Sequence, residues 1–387
     1  MDTIQIGIIN LLKSAVTQEK QQIPSGFDLA TSYPVIQKHH IFPLIYDGAV
    51  RCGFDRKAAV MNKLFRAYVQ ILQISEKQMQ QVDSIYEAFE RNGIDYMPLK
   101  GCKMKSLYPR PELRVMGDAD ILIRVAQYDK IVPILTSFGM VEGEESDHEL
   151  NWSNDSLQLE LHKRITPSFN TDLCMFLGDG WSSARLNQGT CYSMSNEDEY
   201  LYLFTHFTRH YRGGGIGCRH LVDLWMYLRT HPELDDNYIA DKIDGMNLRE
   251  FHENIRRTIA VWFEDATADV KTDYITDYIF SCGSWGVIEN YAFAIALRAE
   301  QKNNEKMGKI NYILQRVFPP LQELKGRYPI LETKPYMLPV VWVRRLSNKL
   351  LFESESISRQ CNFVSKLDDD ALDARRQSLQ YVGLEFN

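Results

Sequence analysis

The run Asp118-Ala119-Asp120-Ile121-Leu122-Ile123 puts two carboxylates two positions apart at the head of an apolar stretch. Successive side chains of a strand leave opposite faces, so residues i and i+2 share one. Asp118 and Asp120 therefore project together, while Ala119, Ile121 and Ile123 face a core. A strand of this kind needs a second layer over its apolar face and a counter-charge on the other. Two neighbouring carboxylates repel unless a cation lies between them. Hard oxygen ligands favour Mg²⁺, which takes one or two carboxylates together with substrate phosphates. In two-metal sites the ions clamp the attacking and leaving oxygens. Gly117 removes a side chain where a phosphate approaches. By itself Asp-x-Asp also describes a solvated strand end, so its meaning depends on its surroundings.

Three neighbours point the same way. Leu99-Lys100-Gly101 lies between a strand-like run, Ile94 to Leu99, and a short helix expected over Gly101 to Tyr108. Backbone N–H groups at a helix start meet phosphate well, and Lys100 adds positive charge. Arg114, four residues before Asp118, is a candidate bidentate phosphate partner. In Leu157-Gln158-Leu159-Glu160-Leu161-His162 the leucines alternate, so Gln158, Glu160 and His162 share the other face. Such a strand suits the place beside the Asp-x-Asp strand. Glu160 is then a third metal ligand or the base that activates an acceptor hydroxyl, and His162 a base or orienter. An amphipathic strand with a solvated polar face explains the same residues equally well.

The spacing divides the chain into a helical region over 1–92, an α/β core over 93–194 and a second helical region over 195–387. Arg56 to Arg91 is long and amphipathic, with Leu64, Tyr68, Ile71 and Leu72 at helical spacing, and Asn92-Gly93 stops it. A helix is expected over Gln127 to Phe138, and a β-hairpin over His148 to Ile165 around Asn154-Asp155. Ser195 and Asp198 fit a capping box, followed by helices over Asn196–Tyr211 and Arg219–Arg229. Amphipathic helices continue to about residue 360, broken at Phe318-Pro319-Pro320, and the charged last twenty residues are expected to be poorly ordered.

His206 and His210 are four apart on a helix and share a face. That is zinc spacing, but Phe207 stands where a metalloprotease helix carries its glutamate. With Arg219 and Asp223 they read as a polar cluster across two helices, lining a cleft or tying the helices together. Gly213-Gly214-Gly215 with Gly217 follows a helix rather than a strand, and reads as an interhelical turn. Seven cysteines without a C-x-x-C pair read as free thiols of a reducing compartment. The N-terminus lacks a basic region before its apolar residues, and no apolar stretch approaches the roughly 20 residues of a membrane span. The expectation is a cytoplasmic protein. A net charge of -7 and a pI near 5.8 argue against long nucleic acid as partner.

These elements, in this order, resemble the uncharacterised nucleotidyltransferases of the polymerase-β-like superfamily. The likeness rests on Leu99-Lys100-Gly101, Leu107-Tyr108-Pro109, Arg114, Gly117 to Ile123, Glu160-Leu161-His162, His206-x-x-x-His210 and Arg219 to Leu224. Phe318-Pro319-Pro320 and Arg327-Tyr328-Pro329 extend it toward the C-terminus. The resemblance implies an α+β fold, with a small mixed β-sheet nucleotidyltransferase core flanked by N-terminal and C-terminal helical regions. It implies transfer of a nucleoside monophosphate from an NTP to an acceptor, with release of pyrophosphate. Carried onto this chain, Asp118, Asp120 and Glu160 hold Mg²⁺ or Mn²⁺, and Lys100, Gly101, Arg114, Gly117, His162, His210 and Arg219 serve the nucleotide. The superfamily usually carries Gly-Ser before its acidic pair; here Lys100-Gly101-Cys102 stands instead, and the phosphate contact is assigned to Lys100. ATP is the expected donor on cellular abundance alone. The acceptor is open between a protein, a small molecule, a sugar intermediate and an RNA end. Two alternatives stand beside this reading: a non-catalytic nucleotide-binding regulatory module, and a metallohydrolase built on His162, His206, His210 and Asp223.

Overall fold

A computed structural model describes residues 1–168, 170–303, 318–319, 321, 324, 328, 330–352 and 369–385. Pro320, Arg327, Pro329 and Cys361 lie outside the described residues. The chain forms two compact units, one of Met1–Tyr211 with Gly215–Gly286, the other of Arg212–Gly214 with Val287–Asn387.

The first unit begins with four helices: α1 (Thr3–Thr17), α2 (Tyr33–His39), α3 (Phe42–Cys52) and α4 (Ala59–Arg91). Asp2 and Gln5 cap the start of α1 reciprocally. The mixed region follows as β1 (Tyr96–Pro98), α5 (Lys100–Lys105), β2 (Ala119–Ile123), α6 (Tyr128–Ser137), β3 (Val141–Glu145), β4 (Glu149–Ser153), β5 (Gln158–His162), α7 (Thr171–Leu177), β6 (Arg185–Gln188) and β7 (Cys191–Ser193). The expected helix after Gly101 is shorter than its sequence reach. It stops before Pro109, and the chain then crosses to β2 through a single turn at Pro111–Leu113.

The strands form one seven-stranded mixed sheet in the order β3-β4-β5-β2-β1-β7-β6. The β4–β5 pair is the expected hairpin, with Trp152 opposite Leu159. The β2–β5 pair is parallel and sets Asp120 beside Glu160 and Leu122 beside His162. On one face Ala119, Ile121 and Ile123 join Leu157, Leu159 and Leu161 under Val82, Ile85 and Phe89 of α4 and Ile131 and Leu135 of α6. The other face is also covered, with Met97, Leu99 and Leu122 packed against Ile165, Met194 and Tyr202. Burial on both faces places Asp120 in the interior rather than at a wet strand end.

The unit continues with α8 (Asn196–Arg212), α9 (Cys218–Thr230), α10 (Asp236–Gly245), α11 (Arg249–Phe263) and α12 (Val270–Cys282). The Ser195 hydroxyl accepts the Asp198 N–H at 3.1 Å, capping α8. Phe204 and Phe207 of α8 meet Phe251 of α11, and Trp225 of α9 stacks on Phe263.

The second unit holds α13 (Ile288–Asn303), α14 (Ile330–Thr333), α15 (Leu338–Phe352) and α16 (Asp369–Tyr381). The expected disorder of the last twenty residues is overturned over 369–385. Leu372, Leu379, Val382 and Leu384 are buried there, and Arg376 pairs with Glu300 of α13. The charge of this segment lies on one side of a helix whose other side is apolar. No helix among the described residues is long and apolar enough to cross a membrane.

Candidate active site around Asp120

Two crossings bring the site together. After β1 the chain turns into α5, and the Leu99 N–H donates to the Asp120 carbonyl at 2.9 Å, fixing that turn against β2. Gly101 then passes so close that a Cβ would stand 2.9 Å from the Asp118 carbonyl oxygen and 3.3 Å from Oδ2 of Asp120. Only glycine fits there, so Gly101 is explained by the approach of backbone to the acidic strand. The Arg114 guanidinium donates to the Gly101 carbonyl at 2.9 Å and holds the turn from beneath.

Asp120 is 0% exposed. Its Oδ1 lies 2.9 Å from Nζ of Lys100 and 3.0 Å from Nε2 of His162. Its Oδ2 is buried without a partner, as is Nδ1 of His162. Glu160, half-buried on the adjacent strand, brings Oε2 to 3.5 Å from the same His162 nitrogen. Burial would raise the Asp120 carboxyl, but the Lys100 ammonium and the His162 hydrogen bond hold it well below the usual carboxylate range. Lys100 in turn is held above its ordinary value by Asp120, against the effect of its own burial. Glu160 goes the other way. Burial pushes its carboxyl up to about 7, His162 opposes this, and the charges of Asp120 and Asp118 add to the rise. Neighbouring carboxylates with such opposed tendencies mark a charge-crowded pocket of the kind that chemistry uses.

The arrangement fits a divalent cation. Asp120, Glu160 and His162 each offer one ligand atom, and these atoms lie within 4.8 Å of one another. The orphaned Oδ2 of Asp120 adds a buried acceptor. Carboxylate oxygens suit Mg²⁺ and Mn²⁺. Asp118 stands outside this trio but lines the same cavity as Lys100, Gly101 and Asp120.

The facing wall of the cavity comes from α8 and α9, through His206, Arg219, His220 and Asp223. Arg114 binds Asp223 with two bonds of 2.8 and 3.0 Å, and Tyr108 donates to the same carboxylate at 2.6 Å. Three of Arg114's nitrogens are therefore engaged within the protein. Arg219 donates to the Val115 carbonyl, and its Nε is buried without a partner. His210 hydrogen-bonds to His206, with Nε2 atoms 3.1 Å apart, and does not line the cavity. Burial, aided by nearby cations, keeps His206 and His210 well below the usual histidine value, and brings His220 down to about 3. Two neutral imidazoles, His206 and His220, thus face a pocket that also holds cations and carboxylates, with His210 bonded to His206. Gly117, next to Asp118, is exposed, and Cη2 of Trp285 lies 3.7 Å from where its Cβ would stand.

Sequence reasoning missed His220 as a cavity-lining residue and Trp285 as a neighbour of Gly117. His220 was legible only as the neighbour of Arg219, since its cluster with His206 and His210 forms across two helices. Trp285 carries no local pattern, and its proximity to Gly117 exists only in the folded chain.

A protein-family model described as an uncharacterised nucleotidyltransferase matches residues 25–264, well over half of the chain. No curated protein and no solved structure matches it. The matched span contains every residue of the Asp120 cluster and of the facing wall, and ends before Trp285.

Proposed function

This chain belongs to the uncharacterised nucleotidyltransferase family, and from that premise we propose that it transfers a nucleoside monophosphate from an NTP to an acceptor hydroxyl in a metal-dependent reaction. The observation that carries the proposal is the convergence of Asp120, Glu160 and His162 on one point, with a buried carboxylate oxygen to spare. In this reading residues 93–194 carry the chemistry, with helical regions on either side in sequence. ATP is the first donor to try, with Mg²⁺ or Mn²⁺.

Asp118, Asp120 and Glu160 would hold the cation, with His162 fixing the orientation of Asp120. A cation bound there supplies charge neutralisation for the phosphates and for the oxygens being made and broken. Glu160 has a second carboxylate oxygen to take the acceptor's hydroxyl proton. The acceptor oxygen forms a bond to the α-phosphorus, the bond to the β-phosphate oxygen breaks, and pyrophosphate leaves. Lys100 and Arg219 are the cations facing the phosphates. Arg114, bonded to Asp223 and to the Gly101 carbonyl, keeps the Lys100-Gly101 turn in place. Gly117 leaves the entrance open, and His210 supports His206.

One observation favours the non-catalytic alternative. The Lys100–Asp120 pair already neutralises the central carboxylate, which a metal-free nucleotide-binding module would also need. The metallohydrolase reading loses its carboxylate, because Asp223 is bonded to Arg114 and Tyr108.

Thermal unfolding with each of ATP, GTP, CTP and UTP, with and without Mg²⁺ or Mn²⁺, separates the readings. Ligand binding to the native state raises apparent stability with the logarithm of saturation. A metal-dependent rise in the wild type that is lost in Asp118→Asn/Asp120→Asn supports the transferase. A rise that needs no metal favours the binding module. No rise with any nucleotide removes both.

A further inference from the structure

Trp285 is 74% exposed, a large apolar surface to leave in water. It stands at the tip of a turn that the fold holds firmly. Gly283 and Gly286 bracket it with φ of 79° and 68°, values that L side chains rarely adopt. The Ser284 N–H donates to the Lys38 carbonyl at 3.1 Å, and the Ser284 hydroxyl donates to the His39 carbonyl. His39, fully buried, receives the Cys218 N–H on Nδ1 and so donates from Nε2 to the Phe280 carbonyl. The start of α9, the end of α12 and the turn that presents Trp285 are thereby tied to one residue pair, Lys38-His39.

The indole touches the protein by its edges. Its Nε1–H donates to Nε2 of His40 at 3.2 Å, and its Cη2 lies 3.7 Å from where a Gly117 Cβ would stand. The N–H bond lies in the ring plane and the His40 ring stands at 78° to it, so His40 meets the indole at its edge and not across a face. Gly117 immediately precedes Asp118, which lines the cavity. Burial, and with it the charge of Arg219 from the opposite wall, lowers the basicity of His40. A planar hydrophobic side chain therefore sits against Gly117, one residue along the chain from the cavity wall at Asp118.

We infer that Trp285 is the platform on which the base of the bound nucleotide stacks, resting on the nucleotidyl-transfer reading of the Asp120 pocket. A nucleotide whose phosphates lie among Lys100, Arg219 and Asp118 directs its ribose and base outward past Gly117, where a side chain would obstruct it. Stacking accepts every base because each has a π-face. Position 285 lies beyond the span that the family match covers.

The test is calorimetric binding of ATP and of inorganic tripolyphosphate, each with Mg²⁺, to wild type, Trp285→Ala and Trp285→Phe. Tripolyphosphate keeps the phosphates and lacks the base. The expected result is at least about fivefold weaker ATP binding in Trp285→Ala, unchanged tripolyphosphate binding, and most of the ATP affinity retained in Trp285→Phe. Equal ATP affinity in wild type and Trp285→Ala overturns the platform while leaving the transferase reading intact. Parallel loss of both ligands also overturns it, because the indole would then only be supporting the loop. A wild type that binds neither ligand removes the nucleotide reading itself, and the platform with it.

Discussion

The Lys100 ammonium lies 2.9 Å from Oδ1 of Asp120, inside the group of atoms that would hold a metal ion. One carboxylate charge cannot serve two cations at full strength in a pocket so poorly screened. Lys100 thus neutralises the central carboxylate in the free protein, and a metal ion must compete with it. Lys100→Met is expected to bind Mn²⁺ more tightly than the wild type when no nucleotide is present, by several-fold in a titration calorimeter. The same substitution should weaken NTP binding, since the freed ammonium is then missing from the phosphates. Unchanged Mn²⁺ affinity would show that Lys100 does not guard the site.

Arg114 and Asp223 form a buried two-bond pair, with side chains 5% and 8% exposed. Removing one member of such a pair leaves an uncompensated charge and typically costs about 3–5 kcal/mol. Arg114→Met and Asp223→Leu should each lower unfolding stability by about that much. The double variant is expected to be more stable than either single one, because neither charge is then left alone. A double variant whose loss equals the sum of the two singles would contradict the pairing.

Gly101 admits no side chain. Gly101→Ala puts a methyl group 2.9 Å from a backbone oxygen that cannot turn aside, so the turn must move away from β2. Overpacking of this sort costs about 1–3 kcal/mol. Denaturant unfolding should register that loss, and any NTP-dependent thermal shift should shrink with it, because Lys100 moves with the turn. A variant of wild-type stability would mean that the turn relaxes freely.

Burial of His39 is expected to make the fold acid-sensitive. Burial pushes its imidazole down from 6.5 to about 4, and the carbonyl bond to Phe280 only partly offsets this. Between those values the unfolded chain binds a proton that the folded protein refuses. Stability from this residue is therefore fully present above pH 6.5, falls as pH drops toward 4, and levels off below. The interval corresponds to roughly 3 kcal/mol. His39→Gln can keep a donor for Phe280 and an acceptor for Cys218 without titrating. Its stability should decline less steeply between pH 6.5 and 4 than that of the wild type, as read from urea midpoints. An identical slope would assign the acid sensitivity to the other buried histidines, such as His252 and His220.

Local pattern carried much of the mixed region. The alternation in Leu157 to His162 and in Asp118 to Ile123 is a property of neighbouring residues, so both strands and the face shared by Glu160 and His162 could be read from the chain. The same holds for α4, whose apolar spacing runs without glycine or proline, and for α8 behind Ser195. Other strands had no such signal. Val141 to Glu145 is exposed along its length and exists as β3 because β4 offers it hydrogen bonds. Cys191 to Ser193 is three residues long and becomes a strand by lying beside β1.

What the sequence determined by itself was which side chains share a strand face or a helix face, because strand and helix periods are short-range geometry. That was enough to place Asp120, Glu160 and His162 on two strands and to read the chemistry they suit. Only the tertiary structure decided that these strands lie parallel with Asp120 beside Glu160, that Lys100 reaches Asp120, and that Arg114 is taken up by Asp223. It alone brought Trp285 to Gly117 across more than 160 residues of chain. These are contacts between segments distant in sequence. They arise from burying both faces of one sheet at once, a condition that no single stretch of the chain contains.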